Sequence, residues 1–309
     1  MPFMPSGNKV KGYFNAFLSA FSFGLIPLFV IPIKKAGISM DVVLFYRFFF
    51  AAVMIGCFLL VRRGSFQVSL RDLSKLALMG LLYAFSAEFL FMGYDLLSAG
   101  IASTVLYTYP VLVAIILYFF FKEKISLITK LSILFALLGV MIMSWEGGSS
   151  INFNIYGVVI VMLSALSYAL YMIMVSKGGI KGSEVMVTFY SVLFSSLFYA
   201  VKTTALGGDL IYTDPYWLGF IGAFSLVTTV LSVLCIVFAI QLIGSTSTAV
   251  LGAFEPVVAV LISVLMFGER ITWNLITGVI LIVCALFLSV MGNQFQKNKN
   301  RKITSSESV

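Results

Sequence analysis

The chain has 309 residues, of which 61% are hydrophobic and only 10% are charged. In a soluble globular domain roughly a quarter of all residues are charged, so this composition excludes that class and predicts an integral membrane protein. The net charge is +8, and the chain contains no His, which removes imidazole catalysis and most zinc sites. We therefore expect no metal and no other cofactor.

Ten apolar segments account for nearly the whole length of the chain, and each could cross a bilayer as a helix of roughly 20 residues. We place them at residues 12–33, 42–61, 75–97, 99–121, 127–145, 155–176, 184–206, 215–240, 246–267 and 272–292. The first segment is too long for the apolar part of a typical signal peptide, so we expect it to be retained. The predicted fold is an all-α integral membrane protein with ten transmembrane helices.

The second half of the chain repeats the first. Six residues return 146 positions later: Pro110, Val111, Ile116, Phe121, Glu123 and Ile125 are matched by Pro256, Val257, Ile262, Phe267, Glu269 and Ile271. Each copy holds five segments, and this odd number places the second copy upside down with respect to the first. We predict two inverted five-helix repeats, residues 1–146 and 155–292, joined by the polar linker 147–154 and followed by a basic cytoplasmic tail, 293–309.

Small residues recur along one face of the first segment, where Ala16, Ala20 and Gly24 are spaced four apart. Such residues let membrane helices approach closely. Ala165 and Ala169 occupy the repeat positions of Ala20 and Gly24, so we expect a central contact between the first and sixth helices.

Basic residues are concentrated at one end of the predicted helices. Fifteen Lys and Arg residues fall on the face that carries both termini, and four, Lys34, Lys35, Lys202 and Arg270, fall on the other. The positive-inside rule therefore places both termini in the cytoplasm. The net positive charge is explained by topology and gives no reason to expect a nucleic-acid partner.

Three ionisable residues, Arg47, Glu88 and Glu255, lie well inside the predicted helices. A charge at mid-helix costs roughly 2.5–3.5 kcal/mol on insertion scales, so each needs a partner or a wet cavity. At a rise of roughly 1.5 Å per residue, Arg47 and Glu88 lie about 8 and 14 Å below the outer ends of adjacent helices. A pair between them is geometrically possible. Such a pair would be a fixed salt bridge that locks the two helices together. Alternatively, Arg47 or Glu88 would contact a charged substrate, or Glu88 would be a proton site.

Two proline positions predict matched breaks in the fourth and ninth helices. Glu255 directly precedes Pro256, and its repeat counterpart is Tyr109, which precedes Pro110. Proline removes a backbone hydrogen bond and disrupts the preceding turn. Paired broken helices indicate a binding site near the middle of the bilayer. A carboxyl group in apolar surroundings favours its neutral form, which suits a proton-coupled step; a neutral Glu hydrogen-bonded to a helix is the alternative.

Aromatic side chains inside the predicted helices complete the predicted site. Tyrosine is usually found at the membrane interfaces, and each buried one taken alone is more often a packing residue. As a set they predict a cavity for a small amphipathic molecule, and the predicted substrate-binding residues are Tyr83, Tyr107, Tyr109, Tyr168 and Phe254.

Several short motifs resemble one family. Tyr46-Arg47-Phe48, the run 99–103 before Pro110, and Lys122-Glu123 are similar to one EamA domain, and the stretch from Glu255-Pro256-Val257 to Gly268-Glu269-Arg270 is similar to the end of a second. The chain thus resembles the drug/metabolite transporter superfamily over nearly its whole length. The resemblance implies a basket of ten helices with a central cavity. It also implies export of amino acids or related metabolites across the bacterial plasma (inner) membrane, often driven by protons.

Glu88 and Asp95 depart from the pattern of this family, which suggests a subgroup with its own substrate. An intramembrane enzyme is the competing class, because Tyr94-Asp95 resembles one motif of the aspartyl intramembrane proteases. Their second motif, Gly-x-Gly-Asp within a helix, is absent, since Gly207-Gly208-Asp209 lies in a predicted loop. A passive channel and a non-transporting membrane subunit are further alternatives.

We predict a transporter, not an enzyme, that works by alternating access. Transport is expected to be proton-coupled or facilitated. The partners we expect are the lipid bilayer and a zwitterionic or weakly polar small molecule, with protons as a further partner if transport is coupled. The site would be bounded by the first, third and fourth helices and by their repeat counterparts, the sixth, eighth and ninth.

Overall fold

A computed structural model describes residues 6–122, 127–143, 154–180, 182–236, 238–239, 242, 251–252, 254–268, 270–285 and 287–288. Throughout these residues the regular secondary structure is helical. The helices are α1 Ser6–Gly24, α2 Ile26–Lys35, α3 Met40–Val61, α4 Leu70–Leu96, α5 Ala99–Leu106, α6 Tyr109–Phe121, α7 Leu127–Met143, α8 Ile155–Lys177, α9 Glu184–Ala205, α10 Pro215–Ser225, a π-helical turn Leu226–Leu231, α11 Phe254–Phe267 and α12 Trp273–Ala285.

Seven helices in the described part of the chain are long and apolar enough to cross a membrane, and α11 and α12 are shorter apolar helices. The predicted all-α membrane fold is confirmed, with nine to ten spans. We number the spans as follows: α1 with α2 is the first, α3 the second, α4 the third, α5 with α6 the fourth, α7 the fifth, α8 the sixth, α9 the seventh, α10 with the π-helical turn the eighth, α11 the ninth and α12 the tenth.

The break predicted at Pro110 is present. Helix α5 ends at Leu106 and α6 begins at Tyr109, so that Pro110 falls in the first turn of α6, where its missing N–H group is tolerated. The repeat counterpart of this break is only partly described: α11 begins at Phe254, with Pro256 in its first turn, and residues 243–250 and 253 lie outside the described residues. A second break, at Leu25 between α1 and α2, was not predicted and precedes Pro27.

Eight spans form a closed ring of contacts, in the order one, eight, two, seven, three, six, four, nine and back to one. Exchanging each span for the one five places later in the chain leaves this ring unchanged. Because consecutive spans cross the membrane in opposite directions, spans five places apart run antiparallel. The contacts therefore have the two-fold pattern of two inverted repeats, and the ring encloses the centre of the molecule.

Gly24 marks a close approach between the first and ninth spans. A Cβ atom added at Gly24 would lie 2.6 Å from the Cβ of Val258 and 2.9 Å from the backbone oxygen of Glu255. Helix α1 packs on α11 and on the π-helical turn. The prediction that this small-residue face contacts the sixth span is therefore wrong: in the ring, the first span has the eighth and ninth spans as its neighbours.

Replacing Gly24 with Ala is expected to destabilise the protein by roughly 1–3 kcal/mol, because the added methyl group meets a backbone oxygen that cannot rotate away. The measurement is the thermal unfolding midpoint of the purified protein in detergent. Gly219→Ala is the matched control, since a Cβ atom at Gly219 meets nothing within 4 Å. Equal midpoints for the two variants would contradict this account of the contact.

Candidate functional site

A small cavity of about 50 Å³ lies between spans of the ring. Its lining residues come from six spans and are Phe23, Ile26, Arg47, Tyr83, Ser86, Ala87, Leu90, Leu106, Tyr109, Tyr168 and Glu255. A water molecule needs roughly 10–15 Å³ measured in this way, so the cavity has room for a few waters. The fold thus brings five of the predicted site residues, two of them ionisable and three of them tyrosines, around one cavity.

The tyrosines form a packed aromatic wall on one side of this cavity. The ring of Tyr109 meets that of Tyr168 edge to face at 4.7 Å, and Tyr83 lies 6.2 Å from Tyr168 and 5.2 Å from Tyr171, measured between ring centroids. Such edge-to-face and offset arrangements are the favoured geometries of aromatic pairs. The wall therefore combines fixed apolar faces with hydroxyl groups that can hydrogen-bond a ligand.

Tyr107 has a different position from the one predicted, because it does not line the cavity. Its side chain is buried, and its hydroxyl donates a hydrogen bond to the backbone oxygen of Gly252. Its ring packs edge to face on Tyr109 at 5.4 Å. Tyr107 thus connects the broken fourth span to the chain just before α11, at the junction of the two halves.

Arg47 is held by hydroxyl groups of the π-helical turn. The side chain is 3% exposed; its Nε donates to the Thr229 hydroxyl at 3.2 Å and its Nη2 to the Thr228 hydroxyl at 3.4 Å. The guanidinium carbon also lies 4.5 Å from the centre of the Phe224 ring. π-helical turns are rare and often occur at functional sites. The sequence Leu-Val-Thr-Thr-Val-Leu at 226–231 has no pattern that predicts one.

Arg47 and Glu88, whose pairing was geometrically possible from their depths, do not pair with each other. Glu88 instead binds Lys202, with 2.5 Å between Oε1 and Nζ, and Lys202 also binds Asp41 at 2.8 Å. We call these three residues the Lys202 cluster. The two residues of the expected pair lie at similar depths but face different neighbours, since Arg47 contacts the eighth span and Glu88 the seventh. Lys202 and Asp41 were missed because they lie near the ends of their spans, where charges are usually solvated.

Phe254, a predicted substrate-binding residue, does not line the cavity and is 42% exposed. Its ring packs edge to face on Phe17 at 5.7 Å. Adjacent residues of a helix point in different directions, so the neighbour of an inward-facing Glu255 faces outward. Of the two helix-breaking prolines, Pro256 is buried, and the side chain of Pro110 lies outside the described residues.

A second ion pair lies at the ends of the first and third spans. The Lys34 Nζ is 2.6 Å from a carboxylate oxygen of Asp95 and also donates to the backbone oxygen of Phe91. Asp95 is 64% exposed, as expected for a residue at the end of a helix, whereas Lys34 is largely covered. No group of His, Cys, Asp and Glu residues in the described part of the chain could hold a metal ion.

An all-helical membrane protein with a small cavity between two inverted repeats, lined mainly by apolar surface and by a few polar side chains, has the architecture of a secondary transporter. The sequence model of the EamA-like transporter family matches the chain twice, over residues 10–145 and 155–291. The chain therefore belongs to the EamA-like transporter family, as its motifs predicted.

Curated relatives carry names of the same kind. The uncharacterized transporter YxxF of Bacillus subtilis is 22% identical over 100% of this chain and 98% of its own length. The uncharacterized transporter YdfC of the same species is 24% identical, over 72% of this chain and 73% of its own. An uncharacterized transporter of Archaeoglobus fulgidus is 25% identical, over 72% and 80%. One crystal structure shares the fold, with a TM-score of 0.64 at 15% identity over 94% of this chain and 99% of the other.

Proposed function

We propose that this protein exports amino acids or related small metabolites across the bacterial plasma membrane by alternating access. Both termini lie in the cytoplasm in this proposal. Membership of the EamA-like transporter family supports the transport function. The observation that carries the substrate class is that one basic and one acidic side chain, Arg47 and Glu255, line the same cavity.

A zwitterion presents one positive and one negative group, and the cavity offers a partner for each. The tyrosine wall supplies apolar faces and hydroxyl groups for the remainder of the molecule. Glu255 would also carry the proton that couples transport to the pH gradient. The cavity has room for only a few water molecules, so the ring must widen to admit a metabolite.

The Lys34–Asp95 pair closes one end of the ring in this proposal. The first and third spans lie opposite each other in the ring order, so an ion pair between their ends reaches across its opening. Between this pair and the cavity, Phe224 packs on Phe29 and on Phe91, with centroid distances of 5.4 and 6.4 Å. In the predicted topology this end faces the outside of the cell. Separation of Lys34 from Asp95 would therefore accompany opening toward the outside.

Replacing Lys34 with Met is expected to favour opening at this end. Asp95, one partner of this ion pair, is exposed to solvent, so we expect its loss to change the free energy by about 1 kcal/mol, which corresponds to a roughly fivefold shift between closed and open states. The measurement is the rate at which a membrane-impermeant maleimide labels a Cys placed at Phe29, after Cys57, Cys235 and Cys284 have been replaced. We expect labelling to be severalfold faster than in the otherwise identical protein that retains Lys34.

Arg270→Met is the control for Lys34→Met, because it removes another basic residue from the same predicted face without touching the pair. This control should leave the labelling rate unchanged. Equal labelling rates in the Lys34→Met and parent proteins would show that the pair does not hold this end closed.

Uptake into proteoliposomes tests the proposed function. The vesicles are supplied with a mixed pool of labelled amino acids and small metabolites, with and without an imposed pH gradient. Accumulation that follows the gradient would support a proton-coupled carrier and identify its substrate. Equilibration that ignores the gradient would refute coupling, and the absence of any flux would refute the transport proposal.

A further inference from the structure

Arg47 is more deeply buried than Lys34 and Lys202, and unlike these two lysines it has no acidic partner among the described residues. Lys202 binds two carboxylates, and Lys34 binds Asp95. Among the described residues, Arg47 makes side-chain hydrogen bonds only to the neutral hydroxyl groups of Thr228 and Thr229. A buried cation without a counter-ion is costly, so its retention points to a partner that arrives from elsewhere.

The guanidinium group retains donors that these contacts do not use. Arginine carries five N–H donors, and the two threonines accept two of them. The three others have no partner that the described structure shows, and Arg47 lines the cavity. The threonines hold the Nε and one N–H of Nη2, and the remaining N–H groups of the guanidinium are left for a ligand.

Aromatic rings flank the guanidinium group and give it a largely apolar surrounding. Its central carbon lies 4.5 Å from the centre of the Phe224 ring, 5.5 Å from that of Phe48 and 6.0 Å from that of Phe91. Cation–π contacts of this kind attract the charge without neutralising it. In such low-dielectric surroundings, an anion that reaches the group would bind more strongly than it would in water.

We propose that Arg47 binds an anionic group of the transported molecule, so that the substrate carries a carboxylate or another planar anionic group. The guanidinium fork matches a carboxylate with two parallel hydrogen bonds. Glu255 lines the same cavity, and the ion pairs among the described residues include none between it and Arg47. This inference rests on the proposed function of the cavity and assigns the role of one residue in it.

Formate and acetate test the binding step directly, because both are small enough for a cavity of this volume. The thermal unfolding midpoint of the purified full-length protein is measured against increasing formate or acetate, with chloride keeping the ionic strength constant. A ligand that binds only the folded state raises the midpoint in a saturable way. We expect such a rise with both carboxylates and none with formamide or acetamide. Equal behaviour of acids and amides in the wild-type protein would overturn the proposal.

Arg47→Gln is expected to weaken carboxylate binding at least tenfold, or by about 1.4 kcal/mol. Thr229→Val keeps the charge but removes one hydrogen bond that orients it, so we expect a smaller loss. Arg62→Gln is the matched control: it makes the same change in an exposed arginine that follows the same helix, and the response should be unchanged. Retention of the full response in Arg47→Gln would place the anion elsewhere. Should Arg47→Gln fail to fold, Thr229→Val and the wild-type comparison of acids with amides still decide the question.

A transport measurement separates failure of this inference from failure of the proposed function. Wild-type proteoliposomes are given a mixture of labelled amino acids or the same mixture as α-carboxamides. Uptake of the acids alone supports both proposals. Equal uptake of acids and amides leaves the carrier in place and refutes the role of Arg47. Uptake of neither refutes the amino-acid substrate class, and the formate response then decides on Arg47 alone.

Discussion

Replacing Glu255 with Gln is expected to abolish accumulation driven by a pH gradient while leaving the protein folded. Gln has nearly the shape of a protonated Glu and can keep its hydrogen bonds, but it cannot take up or release a proton. With one proton moved per substrate, one pH unit is worth about 1.4 kcal/mol, or a roughly tenfold concentration ratio. The expected ratio in Glu255→Gln is one, measured as steady-state uptake into proteoliposomes under an imposed gradient.

Two further variants sharpen the Glu255 experiment. Asp209→Asn makes the same acid-to-amide change in an exposed loop residue and should accumulate substrate as the wild type does. Tyr109→Phe removes one hydroxyl from the cavity lining, so it should lower uptake without removing the response to the gradient. If Glu255→Gln and Tyr109→Phe both transported normally at every pH, the assignment of the site to this cavity would be wrong.

Replacing Lys202 with Met is expected to cause the largest loss of stability. The change leaves the carboxylates of Asp41 and Glu88 without their shared cation, in side chains that are only 25% and 22% exposed. Hydrogen bonds to charged groups are worth about 1.5–3 kcal/mol, and the two carboxylates would in addition repel each other. We expect a loss of roughly 2–3 kcal/mol in the free energy of unfolding. The unfolding midpoint of the purified protein measures it.

A double variant tests whether the Lys202 cluster acts as a unit. Adding Glu88→Gln to Lys202→Met removes one of the two stranded charges, so the double variant should be more stable than Lys202→Met alone. Lys130→Met, at an exposed position of α7, controls for the loss of a lysine as such. Simple additivity of the two changes would show that Glu88 and Lys202 do not interact in solution.

The spans could be predicted from the sequence because the bilayer imposes a length and a polarity on each of them. The break before Pro110 could be predicted for a similarly local reason, since proline cannot donate to the preceding turn. These features depend on neighbours along the chain and not on distant contacts. The family could be recognised because its motifs are local as well.

The partners of the ionisable residues could not be predicted, because depth in the membrane is only one of the coordinates that fix a contact. Arg47 and Glu88 have similar depths, yet the direction in which each side chain points is set by the order of spans in the ring. That order places the eighth span beside Arg47 and the seventh beside Glu88. The same reasoning explains Phe254, which lies at the right depth for the cavity but on the outward side of α11.

The charges of the cavity are not duplicated along with the helices. The second span, Met40–Val61, and the seventh, Glu184–Ala205, are offset by 144 residues, so Arg47 corresponds to Ser191. Across the two prolines the offset is 146, so Glu255 corresponds to Tyr109. The offset between the two repeats thus grows by two residues from the second and seventh spans to the two prolines. The second repeat contains the π-helical turn within this interval, and a π-helical turn holds one residue more than an α-helical turn.

The cavity consequently lacks the two-fold symmetry of the ring that surrounds it. A zwitterionic substrate would have one preferred orientation with respect to the membrane normal. Its negative group would lie toward the second and eighth spans, and its positive group would lie toward the ninth. In the opposite orientation, the negative group of the substrate would face a serine instead of the arginine, and its positive group would face a tyrosine instead of the glutamate. Two repeats with the same arrangement of helices would therefore hold a substrate in a single orientation.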